Sequence, residues 1–78
     1  MSDLLHSLDN LHTTALGVMR IRRNLNLPSD TDVVAYCQDK IKTATITRQG
    51  KNYYAHTGDE IITVNAGSLT IITAHLVK

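Results

Sequence analysis

Between residues 44 and 76 polar and apolar positions alternate in short runs rich in Ile, Val, Thr and Tyr. Three glycines interrupt those runs, each followed by a polar residue: Gly50-Lys51, Gly58-Asp59 and Gly67-Ser68. A period of two marks half-buried strands, and Gly at the first central position is what a type II′ hairpin turn requires. The pattern predicts an antiparallel four-stranded meander with strands near 44–49, 52–57, 60–65 and 69–76. Ahead of it the period becomes helical. Ser2 and Asp3 precede Leu4, Leu8 and Leu11, and the spacing resumes through Ala15, Val18, Ile21 and Leu25. This predicts helix over 3–25 with a break near His12, because Thr13 and Thr14 can each cap a new helix and Gly17 weakens a continuous one. Pro28 closes that region. Ser29 and Asp32 then stand at capping-box separation, and Val34, Cys37 and Ile41 share a face, which predicts helix over about 30–42.

Two-residue loops at all three glycines fix a register across the sheet. One face then carries the row Ile46, Ala55, Ile62, Thr73 and the row Arg48, Tyr53, Val64, Ile71, with Ala66 and Leu69; it is apolar and should take the helices. The other face carries Thr47, Tyr54, Thr63 and Ile72, then Thr45, His56, Ile61 and Ala74, then Gln49, Asn52, Asn65 and Thr70. It is mostly polar and left open to solvent. The expected fold is therefore α+β, with N-terminal helices packed on one face of the meander. A bulge in the last strand, where Ile71-Ile72 breaks the alternation, would exchange that strand's faces.

Seventy-eight residues suit a single domain over 1–78, helical over 1–42 and meander over 43–78. So small a core makes a homo-oligomer or a bound partner the expectation. One cysteine, Cys37, has no partner for an internal disulfide, and with four scattered histidines it gives no metal-ligand spacing. Neither metal nor cofactor is expected. Acidic Asp3 stands where a signal peptide would be basic, and no apolar run has membrane-spanning length, so a soluble, cytoplasmic protein is the reading. The net charge of +1 is uneven. Residues 20–51 hold seven cations against three carboxylates, for +4, while 1–19 sum to −2 and 52–78 to −1. A basic middle permits nucleic-acid binding, although such clusters are more often plain solvated surface.

The stretches Leu11-His12-Thr13-Thr14-Ala15-Leu16-Gly17, Arg20-Ile21-Arg22-Arg23-Asn24-Leu25, Ile62-Thr63-Val64-Asn65-Ala66 and Thr70-Ile71-Ile72-Thr73-Ala74-His75 resemble an uncharacterised family of small bacterial cytoplasmic domains. The resemblance covers nearly the whole chain. It departs from that family's pattern at Ala15, where the pattern has Glu, so an acidic role there is absent. The family implies no activity. The layout of helices before an antiparallel sheet with a Thr-rich last strand is more distantly similar to the ribonuclease toxins of the barnase, colicin and RelE-like group.

Metal-independent RNA cleavage needs one group to take the 2′-hydroxyl proton, another to protonate the leaving oxygen, and donors for the phosphate. Histidine suits both proton roles near neutral pH. His56, His12 and His75 are the candidates; Lys51, Arg48, Arg22 and Arg23 are candidate phosphate partners, Tyr54 a base-stacking platform, and Thr63, Asn65 and Thr73 hydrogen-bonding groups. The register puts His56 and Tyr54 on the open face but Thr73 and His75 on the other, which divides the site unless a bulge intervenes. Residue by residue the plainer roles come first: a helix start for His12, core for Tyr53, strand propensity for the threonines. No phosphate-binding glycine loop, nucleophile elbow or carboxylate pair appears, which argues against nucleotide hydrolases, esterases and glycosidases. Three functions stay open: an RNA-binding or RNA-cleaving domain of toxin-like layout, a non-enzymatic module that meets a protein partner or a second copy through the open face with Ile61 and Ile72, and a small-molecule binder.

Overall fold

The structure, a computed structural model, describes residues 7–77. The helix start expected at Ser2 and Asp3, with Leu4, lies outside them. A single 3-10 turn, Leu8–Asn10, is followed by an extended segment rather than by continuing helix. Leu11 is buried in the core, and the backbone of His12 bridges Thr70 in parallel: His12 N–H donates to Leu69 O at 3.3 Å and Ile71 N–H to His12 O at 2.7 Å. The first helix, α1 (Ala15–Asn24), begins only after Thr14, whose hydroxyl accepts from Gly17 N–H at 3.0 Å. That cap starts a new helix after the break expected near His12. At the far end Asn26 adopts φ 60°, and the N–H groups of Asn26 and Leu27 bond to Arg23 O and Arg22 O, a Schellman closure. The second helix, α2 (Val33–Lys42), is capped by Asp32, whose carboxylate accepts from Ala35 N–H at 3.1 Å. Ser29 lies outside it, so the expected capping box is not formed.

Four strands follow: β1 (Thr45–Gln49), β2 (Asn52–Thr57), β3 (Glu60–Asn65) and β4 (Ile71–Leu76), paired antiparallel in the order β1-β2-β3-β4. The fold is α+β with an open sheet. The first two hairpins keep the expected register, from Gln49 opposite Asn52 and Thr57 opposite Glu60 outward. Gly50 and Gly58 stand at φ 58° and 57° and the residue after each does not have positive φ, as a type II′ turn demands.

The third hairpin differs in two ways. Its left-handed residue is Leu69, at φ 60°, not Gly67, so the loop is Ala66–Leu69, four residues closed by Asn65 N–H to Thr70 O at 2.9 Å and Leu69 N–H to Asn65 O at 2.8 Å. The Asn65 side chain drives this: its Oδ1 accepts from the N–H groups of both Gly67 and Ser68 at 2.9 Å. Further on, the pairing shifts between Thr63 and Val64. Val64 stays opposite Ile71, but Thr63 faces Thr73, Ile62 faces Ala74 and Ile61 faces His75. Ile72 is the extra residue of a bulge. The expected positions of Thr73 on the helix side and Ala74 on the open side are thus exchanged, and His75 moves to the open face. Burial explains the choice: Ala74 fills core space beneath the helices and is wholly buried, while Ile72 is 37 % exposed.

α1 packs on β4 and α2 on β2. Between them lie Ile21, Leu25, Val33, Cys37 and Ile41 from the helices and Tyr53, Ala55, Ile62, Val64, Ile71 and Ala74 from the sheet. Among the described residues no helix is long and apolar enough to cross a membrane.

Candidate nucleic-acid interface

The bulge determines what the open face offers. Neighbouring strands lie about 4.8 Å apart and alternate residues about 7 Å apart, so the register gives the face its approximate dimensions. One row reads Thr45, His56, Ile61, His75 and the next Thr47, Tyr54, Thr63, Thr73. His56 and His75 therefore flank Ile61 on the same row, with Cα atoms roughly 10 Å apart, two strand spacings. Both rings are exposed. Tyr54 is half-buried in the adjoining row, and its hydroxyl accepts from the Asn52 side-chain amide at 3.5 Å. Thr63, next to it, is 7 % exposed, so its hydroxyl is a packed part of the sheet and not a free donor. Thr73 accepts from the Asn24 amide of α1 at 3.4 Å.

His12 is elsewhere. Its bridge to Thr70 adds it to the third row, Gln49, Asn52, Asn65, Thr70, about 13 Å along the strands from His56 and His75. That distance is too long for all three histidines to serve one phosphodiester. Its ring is held from both sides: Nδ1–H donates to Asn10 O at 3.1 Å, which leaves Nε2 of the neutral ring to accept from the Thr70 hydroxyl at 3.0 Å. Thr70 Oγ1 lies 2.8 Å from Ser68 Oγ, and Ser68 Oγ lies 3.3 Å from Asn65 Oδ1. Lys51 belongs to the same end, since its carbonyl accepts from Ala66 N–H at 2.7 Å, and its side chain is exposed.

The arginines divide. Arg48 is on the helix-side face, 5.3 Å over the Tyr53 ring, with its Nε–H on Gly50 O at 3.1 Å. Arg22 is half-buried and donates to Thr31 O at 3.0 Å, which commits it to the loop between the helices. Arg23 is exposed on α1 and is not on the sheet. None of the three joins the histidine row. Thr70 and Ser68 were missed by sequence reading: the Asn65 turn was recoverable from Asn-x-Gly-Ser, but nothing local announces a parallel bridge to a residue 58 positions earlier. Among the described residues no three His, Cys, Asp or Glu side chains gather as metal ligands would.

The chain belongs to a family of small proteins defined by sequence and not by activity: residues 5–75 match the family described as "Protein of unknown function (DUF3781)". No curated protein and no solved structure matches, so the layout likeness to ribonuclease toxins is not confirmed.

Proposed function

We propose that the open sheet face binds RNA and cleaves it without a metal, with His56 and His75 as the proton-transfer pair. The observation that carries this reading is the bulge at Ile72, which sets the two imidazoles on one row of one face. One imidazole takes the 2′-hydroxyl proton as the 2′-oxygen bonds to phosphorus; the other gives its proton to the departing 5′-oxygen. The products are a 2′,3′-cyclic phosphate and a 5′-hydroxyl. The three rows of the face carry no Asp or Glu, so nothing on it repels phosphate. Tyr54 offers a base a stacking surface. A cytoplasmic location belongs to the same proposal.

Purified protein with a fluorescent single-stranded RNA in EDTA is the test. Cleavage that falls to a small residual rate in His56→Ala and in His75→Ala, with the fold intact by circular dichroism, is the expected result. Intact RNA, and no salt-sensitive binding at any ionic strength, would refute the reading. One observation favours a second function: the bulge residue Ile72 is a large apolar side chain that is 37 % exposed. A homodimer or protein partner covering it would bind with little salt dependence.

A further inference from the structure

The open face holds a row that the histidine pair does not use. Beyond Tyr54, the third row begins with Gln49, Asn52 and Asn65, carboxamides on three neighbouring strands. Asn65 commits its oxygen to the loop, through the N–H groups of Gly67 and Ser68. Gln49 is exposed, and its carboxamide makes no hydrogen bond among the described residues. Asn52 makes one, from Nδ2 to the Tyr54 hydroxyl at 3.5 Å, and its Oδ1 accepts from none of the described residues. Gln49 and Asn52 flank the two-residue turn at Gly50 and stand directly opposite each other, with Cβ atoms about 5 Å apart. Together they leave both donors and acceptors free on the solvent side of the sheet.

The Asn52 bond also fixes how Tyr54 lies. The Tyr54 hydroxyl meets a residue two positions earlier on its own strand, about 7 Å along, so the ring leans along β2 instead of standing out from the sheet. Its neighbours in the row are Thr47 and Thr63, side chains too short to cover it. One face of the ring therefore lies toward the sheet, in keeping with a half-buried residue, and the other toward solvent. Along the outward side of β2 the order is His56, Tyr54, Asn52, in steps of about 7 Å: an imidazole, an aromatic platform and an amide. A nucleotide presents phosphate, sugar and base edge in the same sequence. With its phosphate at the histidine row, a base stacked on Tyr54 turns its edge to Gln49 and Asn52.

The amide orientation decides which edge fits. Asn52 faces the base with Oδ1, because Nδ2 is held on Tyr54. An oxygen there attracts an exocyclic amino group and repels a carbonyl, which disfavours the O6 edge of guanine and the O4 edge of uracil. The amino group of adenine has two hydrogens, one for Asn52 Oδ1 and one for Gln49 Oε1, and the ring nitrogen beside it accepts from Gln49 Nε2. Cytosine has the same donor and acceptor on a smaller ring, with less to stack on Tyr54 and a shorter reach to the next row. We propose that Tyr54, Gln49 and Asn52 form a base-reading site that selects adenine at the nucleotide 5′ to the cut bond. This inference rests on the RNA reading and names its substrate: cleavage follows adenosine, the nucleoside that keeps the cyclic phosphate.

The probes are the four nucleoside 3′-monophosphates, which carry base, ribose and phosphate in the proposed order and offer no phosphodiester to cleave. Each is titrated into the whole protein while amide shifts are followed by NMR, and cut positions are mapped in EDTA on an RNA containing all four bases. Adenosine 3′-monophosphate should bind roughly fivefold or more tightly than the uridine and guanosine compounds, the lower end of what one bidentate base contact confers, with the cytidine compound between. Saturable shifts at Gln49, Asn52 and Tyr54 should accompany it. Gln49→Ala, at an exposed position where the fold is not at risk, should bring the four affinities together, whereas Tyr54→Ala should weaken all four. Equal affinities in the parent, a preference for another base, or an adenosine preference that survives Gln49→Ala would overturn the base site. An adenosine preference in a protein that cuts no RNA leaves the base site standing and removes the cleavage reading. RNA cut without regard to the preceding base does the reverse.

Discussion

Gly17 is a residue whose identity is set by a neighbour's hydroxyl rather than by its own backbone. A Cβ there would run into Thr13 Oγ1, the atom that donates to Ile71 O and ties the start of α1 to β4. Helix propensity alone favours Gly17→Ala by about 1 kcal/mol. The displaced hydroxyl loses a hydrogen bond and leaves a half-buried carbonyl unpaired, which costs about 1–3 kcal/mol. The net expectation is a loss of up to about 2 kcal/mol in urea denaturation, turning to a gain when Gly17→Ala is made in a Thr13→Ala background. Equal effects in both backgrounds would show that the hydroxyl does not matter. Cys37 is set by burial. Its side chain is fully covered, and burial first, then the nearby Glu60 carboxylate, push its thiol from the ordinary 9.0 up to about 12. Native thiol should label far more slowly than thiol in urea. The folded state holds this proton more tightly than the unfolded chain, so its contribution to stability is whole below pH 9 and is lost as pH rises toward the folded value. Tyr36 adds a loss of the same sign, raised from 10.0 to about 12 by burial and by its hydrogen bond to Glu60. Between pH 8 and pH 10 the parent should lose roughly 1 kcal/mol more than Cys37→Ala, from about 1.4 kcal/mol per pH unit above the unfolded-state value. Parallel pH dependence in the two proteins would contradict the assignment.

At the level of elements, legibility follows whether the deciding interaction is local. Gly50 and Gly58 supply positive φ where the turn needs it, so three strands and their register could be read directly from the chain. The third hairpin has the same kind of signal at Gly67, yet Asn65 Oδ1 gathers two N–H groups and hands the left-handed position to Leu69. The bulge could be flagged at Ile71-Ile72 but not decided. Ile71-Ile72 offers two apolar side chains in succession, and only the size of the space under the helices selects Ala74 for the inside. The break expected near His12 is there, but the bridge to Thr70 that holds the segment extended comes from 58 residues away and leaves no local signal. Regular pairing that kept Ile72 would turn Thr73 and His75 toward the helices and Ala74 outward, so the candidate histidine pair depends on the extra residue being bulged out. Deleting Ile72 removes that extra residue and lets Ile71, Thr73, Ala74 and His75 alternate in the register already observed, so the deletion variant should fold and keep both imidazoles on the open face. Ile72→Thr, which retains the extra residue on a partly exposed position, should fall within about 1 kcal/mol of the parent. A deletion variant that fails to fold would mean that the bulge itself, and not only the register it produces, is required.

Over the whole molecule, stability and the proposed chemistry sit on opposite faces of one sheet. The helix side holds every fully buried apolar side chain, whereas His56 and His75 are exposed and the hydrogen bonds of the described fold do not depend on their rings. Replacing either imidazole should therefore shift Tm by no more than about 2 °C, the effect of a small surface change. If the pair transfers protons, activity must fall at low pH, when the acceptor imidazole is already protonated, and at high pH, when the donor has lost its proton. A bell-shaped kcat/KM profile is the expected form in the parent. The separation of roles is then readable from the limbs: His56→Ala and His75→Ala should each leave a residual rate that has lost one limb, and not the same one. An identical profile in both variants would mean that a single imidazole, or neither, carries the chemistry. Unchanged cleavage in both would transfer any activity away from this row, and the exposed Ile72 would then point to an association surface, with sedimentation of the parent and of Ile72→Lys at rising concentration as the deciding measurement.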